Sequence, residues 1–237
     1  MPGFTKKLAQ WLSAPGADRQ AIDIDEREHS GRQLFFYNAF KALAFNRING
    51  DYAEFGCHKG KTFALAWQES RRHGHKAKLW AFDSFAGLPE QATDADQHPA
   101  WKAGKLKTTE QKFHAICKKH GIPVTNYHVV PGFYATSLKT LTIDDNPTSI
   151  ALAYIDCDLY SSTRDVLGFL MPRLKHGMII AFDDYFCWSA SQLSGERKAM
   201  LECFTSHEQW ELVPYIQFGW HGQSFVVEDR NISGNTP

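Results

Sequence analysis

No excess of either charge marks this chain: Lys and Arg together number 26, and so do Asp and Glu. That balance gives no electrostatic case for nucleic acid or an anionic membrane as partner. No apolar run approaches the roughly 20 residues that span a bilayer. Lys6 and Lys7 precede an apolar stretch at 8–12 that is too short for a signal-peptide core. A soluble, cytoplasmic protein is expected. Cysteine is sparse: five residues, at 57, 117, 157, 187 and 203, with no Cys-x-x-Cys pair. That excludes a disulfide framework and a zinc knuckle, and leaves most of the thiols as small buried hydrophobes. Internal repeats and low-complexity segments are absent. The 237 residues suit one α/β domain with a short accessory segment, and aromatics at 14% favour a well-filled core.

What the chain does have is carboxylates placed after apolar runs. Residues 151–155 are apolar and are followed by Asp156 and Asp158. About twenty-five residues later the pattern returns, with 177–182 leading into Asp183, Asp184 and Tyr185. Short apolar runs bounded by polar residues read as buried strands. In an open α/β sheet, ligands bind outside the carboxyl ends of the strands. Two such strands would bring four carboxylates to one crevice, which requires a cation or a shared proton.

The rest alternates strand and helix. Residues 1–31 read as a loosely packed lead-in that can act as a lid, with a short amphipathic piece at 4–12 and a charged run at 23–29. A helix is expected at 32–47, closed by Gly50, and its aromatic face offers a surface for a homodimer. Strands are expected at 52–55, 79–82, 126–130, 150–155 and 177–182. Helices are expected at 61–72, 109–120, 161–174 and 189–207, with a short one after Phe133. Residues 87–104 read as a surface loop. Strands at 210–215 and 223–227 close the chain as an antiparallel pair that needs no crossover helix. The domain plan is 1–47 lead-in, 48–230 catalytic domain and 231–237 tail.

Glu54, Gly56, Gly60, Lys61 and Thr62 follow the first strand and open a helix. Glycine allows close backbone approach to a ligand, and a helix N-terminus favours its negative groups. The stretch matches neither the Walker A pattern nor Gly-x-Gly-x-x-Gly. Asp83 ends the second strand, where a doubly wound fold sets a carboxylate on ribose hydroxyls; a turn cap before Ser84 is the other reading.

The blocks 51–60, 82–89, 131–138, 154–163 and 180–185 together resemble the macrocin O-methyltransferase family, within the class I S-adenosylmethionine-dependent methyltransferases. The resemblance covers about residues 48–190 and is carried most specifically by Asp-Ser-Phe-x-Gly-Leu-Pro and Asp-x-Asp-Leu-Tyr-x-Ser-Thr. It implies a Rossmann-like, doubly wound, mostly parallel seven-stranded sheet with a C-terminal antiparallel hairpin. It also implies S-adenosyl-L-methionine and a divalent cation, usually Mg2+. Carried over, Glu54, Gly56, Gly60, Lys61 and Thr62 frame the methionine end of the cofactor, bordered by Asp156. Asp83 takes the ribose, Ser84 and Phe85 the adenosine side, and Gly132 and Phe133 the adenine. Asp156, Asp183 and Asp184 hold the metal. The segment from Phe218 to Phe225 departs from the family pattern.

The expected reaction is methyl transfer to a hydroxyl of a sugar or other small natural-product-like acceptor. A metal lowers the pKa of that hydroxyl and orients it, and oxygen-only ligands suit magnesium. His221 is the first candidate for general base, against a plain surface-loop reading. Asp158 reads as a helix-entry residue near Ser161. His58, His73, His75, His114 and His120 read as solvent-facing. Asp156-x-Asp158 also resembles the metal site of nucleotide-sugar glycosyltransferases, a rival reading that leaves Glu54–Gly60 and Asp183-Asp184 unexplained. A non-catalytic cofactor-binding module would need no such carboxylate cluster.

Overall fold

The computed structural model describes residues 16–142 and 146–233. The amphipathic piece expected at 4–12 and the last four residues of the expected tail lie outside them. Chain order is helix α1 (Gly16–Phe45), β1 (Asp51–Phe55), α2 (Lys61–Arg72), β2 (Leu79–Asp83), α3 (Glu110–Lys119), β3 (Tyr127–Pro131) and α4 (Tyr134–Ser137). It continues with β4 (Ile150–Ile155), α5 (Tyr160–Leu170), β5 (Ile179–Phe182), α6 (Gly195–Phe204), β6 (Trp210–Phe218), β7 (Gly222–Asp229) and α7 (Arg230–Ser233).

The seven strands form one sheet in the order β3-β2-β1-β4-β5-β7-β6. Strands β1 to β5 pair in parallel, β7 runs antiparallel to β5, and β6 closes the hairpin. This is the expected doubly wound sheet with its C-terminal antiparallel pair. Among the described residues no helix is long and apolar enough to cross a membrane.

Alternation along the strands assigns side chains to two apolar layers. Ala53 and Phe55 of β1, with Ala153 and Ile155 of β4, enter the layer that includes residues of α5 and α6. Tyr52 of β1, with Leu152 and Tyr154 of β4, enters the layer roofed by α1 and α2. On α1, Phe35, Phe36, Ala39, Phe40 and Leu43 recur at helical spacing and are buried. Each buried Phe contributes about 1.5–3 kcal/mol. This half of α1 is core.

Element ends differ from expectation where a local signal was outweighed. Helix α1 begins at Gly16 and runs through the charged segment expected to be loose. The helix expected at 161–174 ends at Leu170, and Pro172 continues it as a 3-10 turn. The helix expected at 189–207 begins only at Gly195, whose φ is 60°. An αL residue cannot lie inside a right-handed helix. Residues 87–104 are more than a surface loop. Asp96, buried within them, accepts the Ser161 N–H at 2.7 Å and ties the segment to the start of α5.

Candidate active site

A cavity of about 640 Å3 opens at the carboxyl ends of β1, β2, β3, β4 and β5. This is within the size range of small-molecule sites. Its wall includes Gly56, Asp83, Ser84, Gly132, Phe133, Asp156, Asp158, Asp183 and Asp184. Arg32 reaches the same wall from α1, while Leu88, Pro89 and Trp101 reach it from the 87–104 segment. A smaller cavity of about 180 Å3 lies between α1 and the turn after β1, bordered by Arg32, Gly60, Lys61, Thr62 and Asp156.

The turn after β1 is shaped by contact with the turn after β4. Gly56 has φ 93°, and a Cβ placed on it would sit 1.9 Å from the Asp156 carbonyl oxygen. No other residue fits there. Asp83 then binds this turn: its Oδ2 accepts the N–H of Cys57 at 2.7 Å and of His58 at 3.2 Å. Its Oδ1 accepts the Phe85 N–H at 2.6 Å. Asp83 therefore does the work of the turn-cap reading and also faces the cavity. Ser84 closes its own turn by donating to the Gly87 carbonyl at 2.7 Å.

Other expected cofactor residues sit elsewhere. Glu54 is fully buried in the layer beneath α1 and accepts hydrogen bonds from Tyr52 Oη and Thr62 Oγ1. Burial pushes its carboxyl up to about 8, against the two hydrogen bonds. Glu54 thus supports the turn from behind and is not on the wall of the larger cavity. Phe85, at φ 53°, packs its ring against Phe113 and is likewise off that wall. Lys61 pairs with Asp25 of α1 at 2.6 Å, pinning the helix to the edge of the smaller cavity.

Strands β4 and β5 bring the acidic residues together, but the sets whose ligand atoms converge differ from the expected Asp156, Asp183 and Asp184. Oxygen atoms of Asp156, Asp158 and Asp184 lie within 4.8 Å of one another. Asp183, Asp184 and His221 make a second such group, so Asp184 is common to both. Asp156 is open to the cavity, while Asp158 and Asp184 are buried. Burial, then the Asp183 charge and those of Asp184 and Asp158, push the Asp156 carboxyl well above its usual range. Asp158 is pushed up in the same way by burial and by Asp184, with which it shares a hydrogen bond. Asp184 rises to about 6, from burial and Asp183.

Asp183 is different. Arg32 donates Nε to its Oδ1 at 2.9 Å and Nη2 to its Oδ2 at 2.6 Å, and Tyr154 Oη donates to Oδ1 as well. Burial alone would lower the Arg32 pKa, but the Asp183 carboxylate more than offsets it and the value is raised. Among the described residues, no Lys or Arg hydrogen-bonds to Asp156, Asp158 or Asp184.

Two site readings change on this geometry. Asp158 does not enter the helix as a cap for Ser161; that N–H goes to Asp96, and Asp158 itself turns inward at φ 61°. His221 is neither a surface residue nor on the cavity wall. It is buried behind Asp183, its Nδ1 2.6 Å from the Asp183 carbonyl oxygen and its Nε2 without a partner. His75, expected to face solvent, is also buried and holds the Ile48 carbonyl at 3.0 Å. Sequence reasoning missed Arg32, Asp96, Tyr154 and Glu196. The last is fully buried at the start of α6 and accepts the backbone N–H groups of Cys157 and Asp184, each at 2.9 Å.

Comparison with known proteins follows the same outline. The chain is 31% identical over 145 residues to an 8-demethyl-8-(2,3-dimethoxy-alpha-L-rhamnosyl)-tetracenomycin-C 4'-O-methyltransferase of Streptomyces olivaceus, covering 58% of this chain and 54% of that one. It is 28% identical over 146 residues to a demethyldecarbamoylnovobiocin O-methyltransferase of Streptomyces niveus, covering 59% and 54%. The chain thus spans about half the length of the curated relatives it matches. Among solved structures, the O-methyltransferase NovP superposes with a TM-score of 0.70 at 22% identity, over 83% of this chain and 79% of that one, which shows the shared fold. The model of the family described as macrocin O-methyltransferase (TylF) matches residues 30–200, and the chain belongs to that family.

Proposed function

We propose that this protein is an S-adenosyl-L-methionine-dependent O-methyltransferase. It would act on a hydroxyl of a sugar or other small natural-product-like acceptor, with a divalent cation, Mg2+ by ligand chemistry, at the acidic cluster. The observation that carries the reading is the shared cavity. One wall has Asp83, Gly132 and Phe133, suited to a nucleoside, and the facing wall has four carboxylates.

Both groups fit the residues present. Asp83 keeps lone pairs toward the cavity after accepting its N–H bonds, as a diol-binding carboxylate requires. Gly132, at φ 122°, lines the cavity at the end of β3, where a Cβ would lie 3.1 Å from Ser137 Cβ. The four carboxylates at the ends of β4 and β5 offer the oxygen donors that match a hard cation. Asp156, Asp183 and Asp184 would hold it, with Arg32 paired to Asp183 at the edge. The cofactor supplies a methyl group already activated on a sulfonium, and the cation supplies acidification and orientation of a hydroxyl.

The chain's own residues supply proton removal and positioning. A general base must lie within hydrogen-bond reach of the hydroxyl. His221, behind Asp183, does not reach the cavity; Asp158 lines it. Asp158 is therefore assigned the proton. Asp96 ties the 87–104 segment to α5, and Leu88, Pro89 and Trp101 of that segment form part of the cavity wall. The glycosyltransferase reading would use Asp156 and Asp158 but gives no role to Asp83, Gly132 or the cavity between them.

Calorimetry separates these readings. S-adenosylhomocysteine is expected to bind in the micromolar range, and UDP-sugars not at all, each tried with and without Mg2+. Tight UDP-sugar binding with no S-adenosylhomocysteine signal would overturn the methyltransferase reading. Full turnover in excess EDTA would overturn the metal.

A further inference from the structure

Two separate turns carry the acidic residues, and a single side chain joins them from behind. Glu196 is the second residue of α6, belongs to neither turn and is fully buried. Its Oε1 accepts the Cys157 N–H, and its Oε2 accepts the Asp184 N–H, both at 2.9 Å. Cys157 lies between Asp156 and Asp158; Asp184 follows Asp183. One carboxylate therefore bridges the ends of β4 and β5 at the positions where the acidic side chains leave the backbone.

Placing a fifth carboxyl beside four is costly. Burial and the Asp184 charge both push its carboxyl up, and only the two N–H bonds act the other way. An apolar side chain would avoid that cost but leave two buried backbone N–H groups without acceptors. What an apolar residue cannot do is accept two backbone N–H groups across that span. The approach of α6 is also specifically enabled. Gly195 has φ 60°, and a Cβ there would lie 3.2 Å from the Cys187 carbonyl and 3.3 Å from the Asp158 carbonyl.

We propose that Glu196 is a positioning residue that fixes the spacing between the Asp156–Asp158 turn and the Asp183–Asp184 turn, and thereby sets the affinity of the site for a divalent cation. The role rests on the metal reading given above. It is distinct from ligation, since both Glu196 oxygens are committed to backbone N–H groups. Glu196→Gln keeps the shape and one acceptor but turns an NH2 toward an N–H, releasing one turn. Glu196→Asp keeps both acceptors and shortens their reach by one methylene.

The test is titration of the full chain with Mn2+, followed by the spectrum of the free ion, alongside calorimetry with S-adenosylhomocysteine on the same samples. Wild type is expected to take up Mn2+. Glu196→Gln is expected to bind it about 10- to 100-fold more weakly, the range for residues that orient metal ligands. Its S-adenosylhomocysteine affinity should stay within about threefold of wild type, and Glu196→Asp should lie between the two for Mn2+. Unchanged Mn2+ affinity in Glu196→Gln overturns the proposal. An equal loss of Mn2+ and S-adenosylhomocysteine affinity also overturns it, because that is general loosening. If Glu196→Gln does not fold, Gly195→Ala decides, since it moves α6 and keeps Glu196: wild-type Mn2+ affinity there overturns the proposal, and a selective loss supports it. A wild-type chain that takes up no Mn2+ refutes the metal reading itself. A wild type that binds, with a Gln variant that binds equally, refutes only the role of Glu196.

Discussion

Asp83 and Asp184 both stand at the carboxyl end of a central strand, yet they are stabilised in opposite ways. Asp83 is partly exposed and accepts three backbone N–H groups, which stabilise its charge without any counter-ion. Asp184 is buried, faces Asp158 and Asp183, and is pushed up to about 6. The backbone N–H of Asp184 is turned away toward Glu196. A carboxylate supplied with N–H donors is complete as it stands. One supplied with other carboxylates asks for a cation or a proton, and Arg32 meets that demand only at Asp183.

The largest effect is expected from removing that one resident cation. Arg32→Met leaves the Asp183 carboxylate buried without its partner, a change that costs about 3–5 kcal/mol in comparable pairs. Chemical denaturation at pH 7 measures it, and added Mn2+ should recover part of the loss. A variant as stable as wild type would break the contrast between the two carboxylates.

Asp184→Asn comes next. Methyl transfer is expected to fall at least about a hundredfold, the scale of a lost electrostatic contributor, while S-adenosylhomocysteine binding stays close to wild type. Loss of cofactor binding in this variant would show that the two sites are not separable. Asp83→Asn should show the converse pattern. Its affinity for S-adenosylhomocysteine is expected to drop about tenfold through loss of charge-assisted hydrogen bonds, with Mn2+ uptake preserved.

Glu54 gives an effect that vanishes at acid pH and grows as pH rises. Its folded pKa, about 8, exceeds the ordinary 4.5, so the folded chain holds a proton that the unfolded chain has released. Stability from this group is fully present below pH 4.5, falls as pH rises through that window, and is lost above about 8. Glu54→Gln should therefore be nearly neutral near pH 4 and stabilising at pH 8.5, flattening the decline between them by a few kcal/mol at most. Denaturation midpoints at the two pH values measure the slope; an unchanged slope would show that Glu54 is not the group responsible.

The parallel part of the sheet and its strand ends were legible because each parallel strand is a short, mostly apolar run followed by a carboxylate or glycine, a pattern local to a few residues. Asp83, Asp156, Asp183 and Asp184 were found for that reason. What escaped was long-range. Asp96 sits in a polar stretch whose composition suits a surface loop, and only its bond to Ser161, 65 residues away, reveals its work. Glu196 bonds to Cys157 across 39 residues, and Arg32 to Asp183 across 151. Nothing in the neighbourhood of these residues in sequence marks them. His221 was found, but its depth was not, because burial behind Asp183 depends on where the β6–β7 hairpin returns to the sheet.

The missing side chain at Gly56 has a mechanical consequence. With 1.9 Å between an imagined Cβ and the Asp156 carbonyl, the turn after β1 and the turn that begins the acidic cluster lie directly against each other. Backbone atoms, not side chains, therefore set the spacing between the two turns at this point.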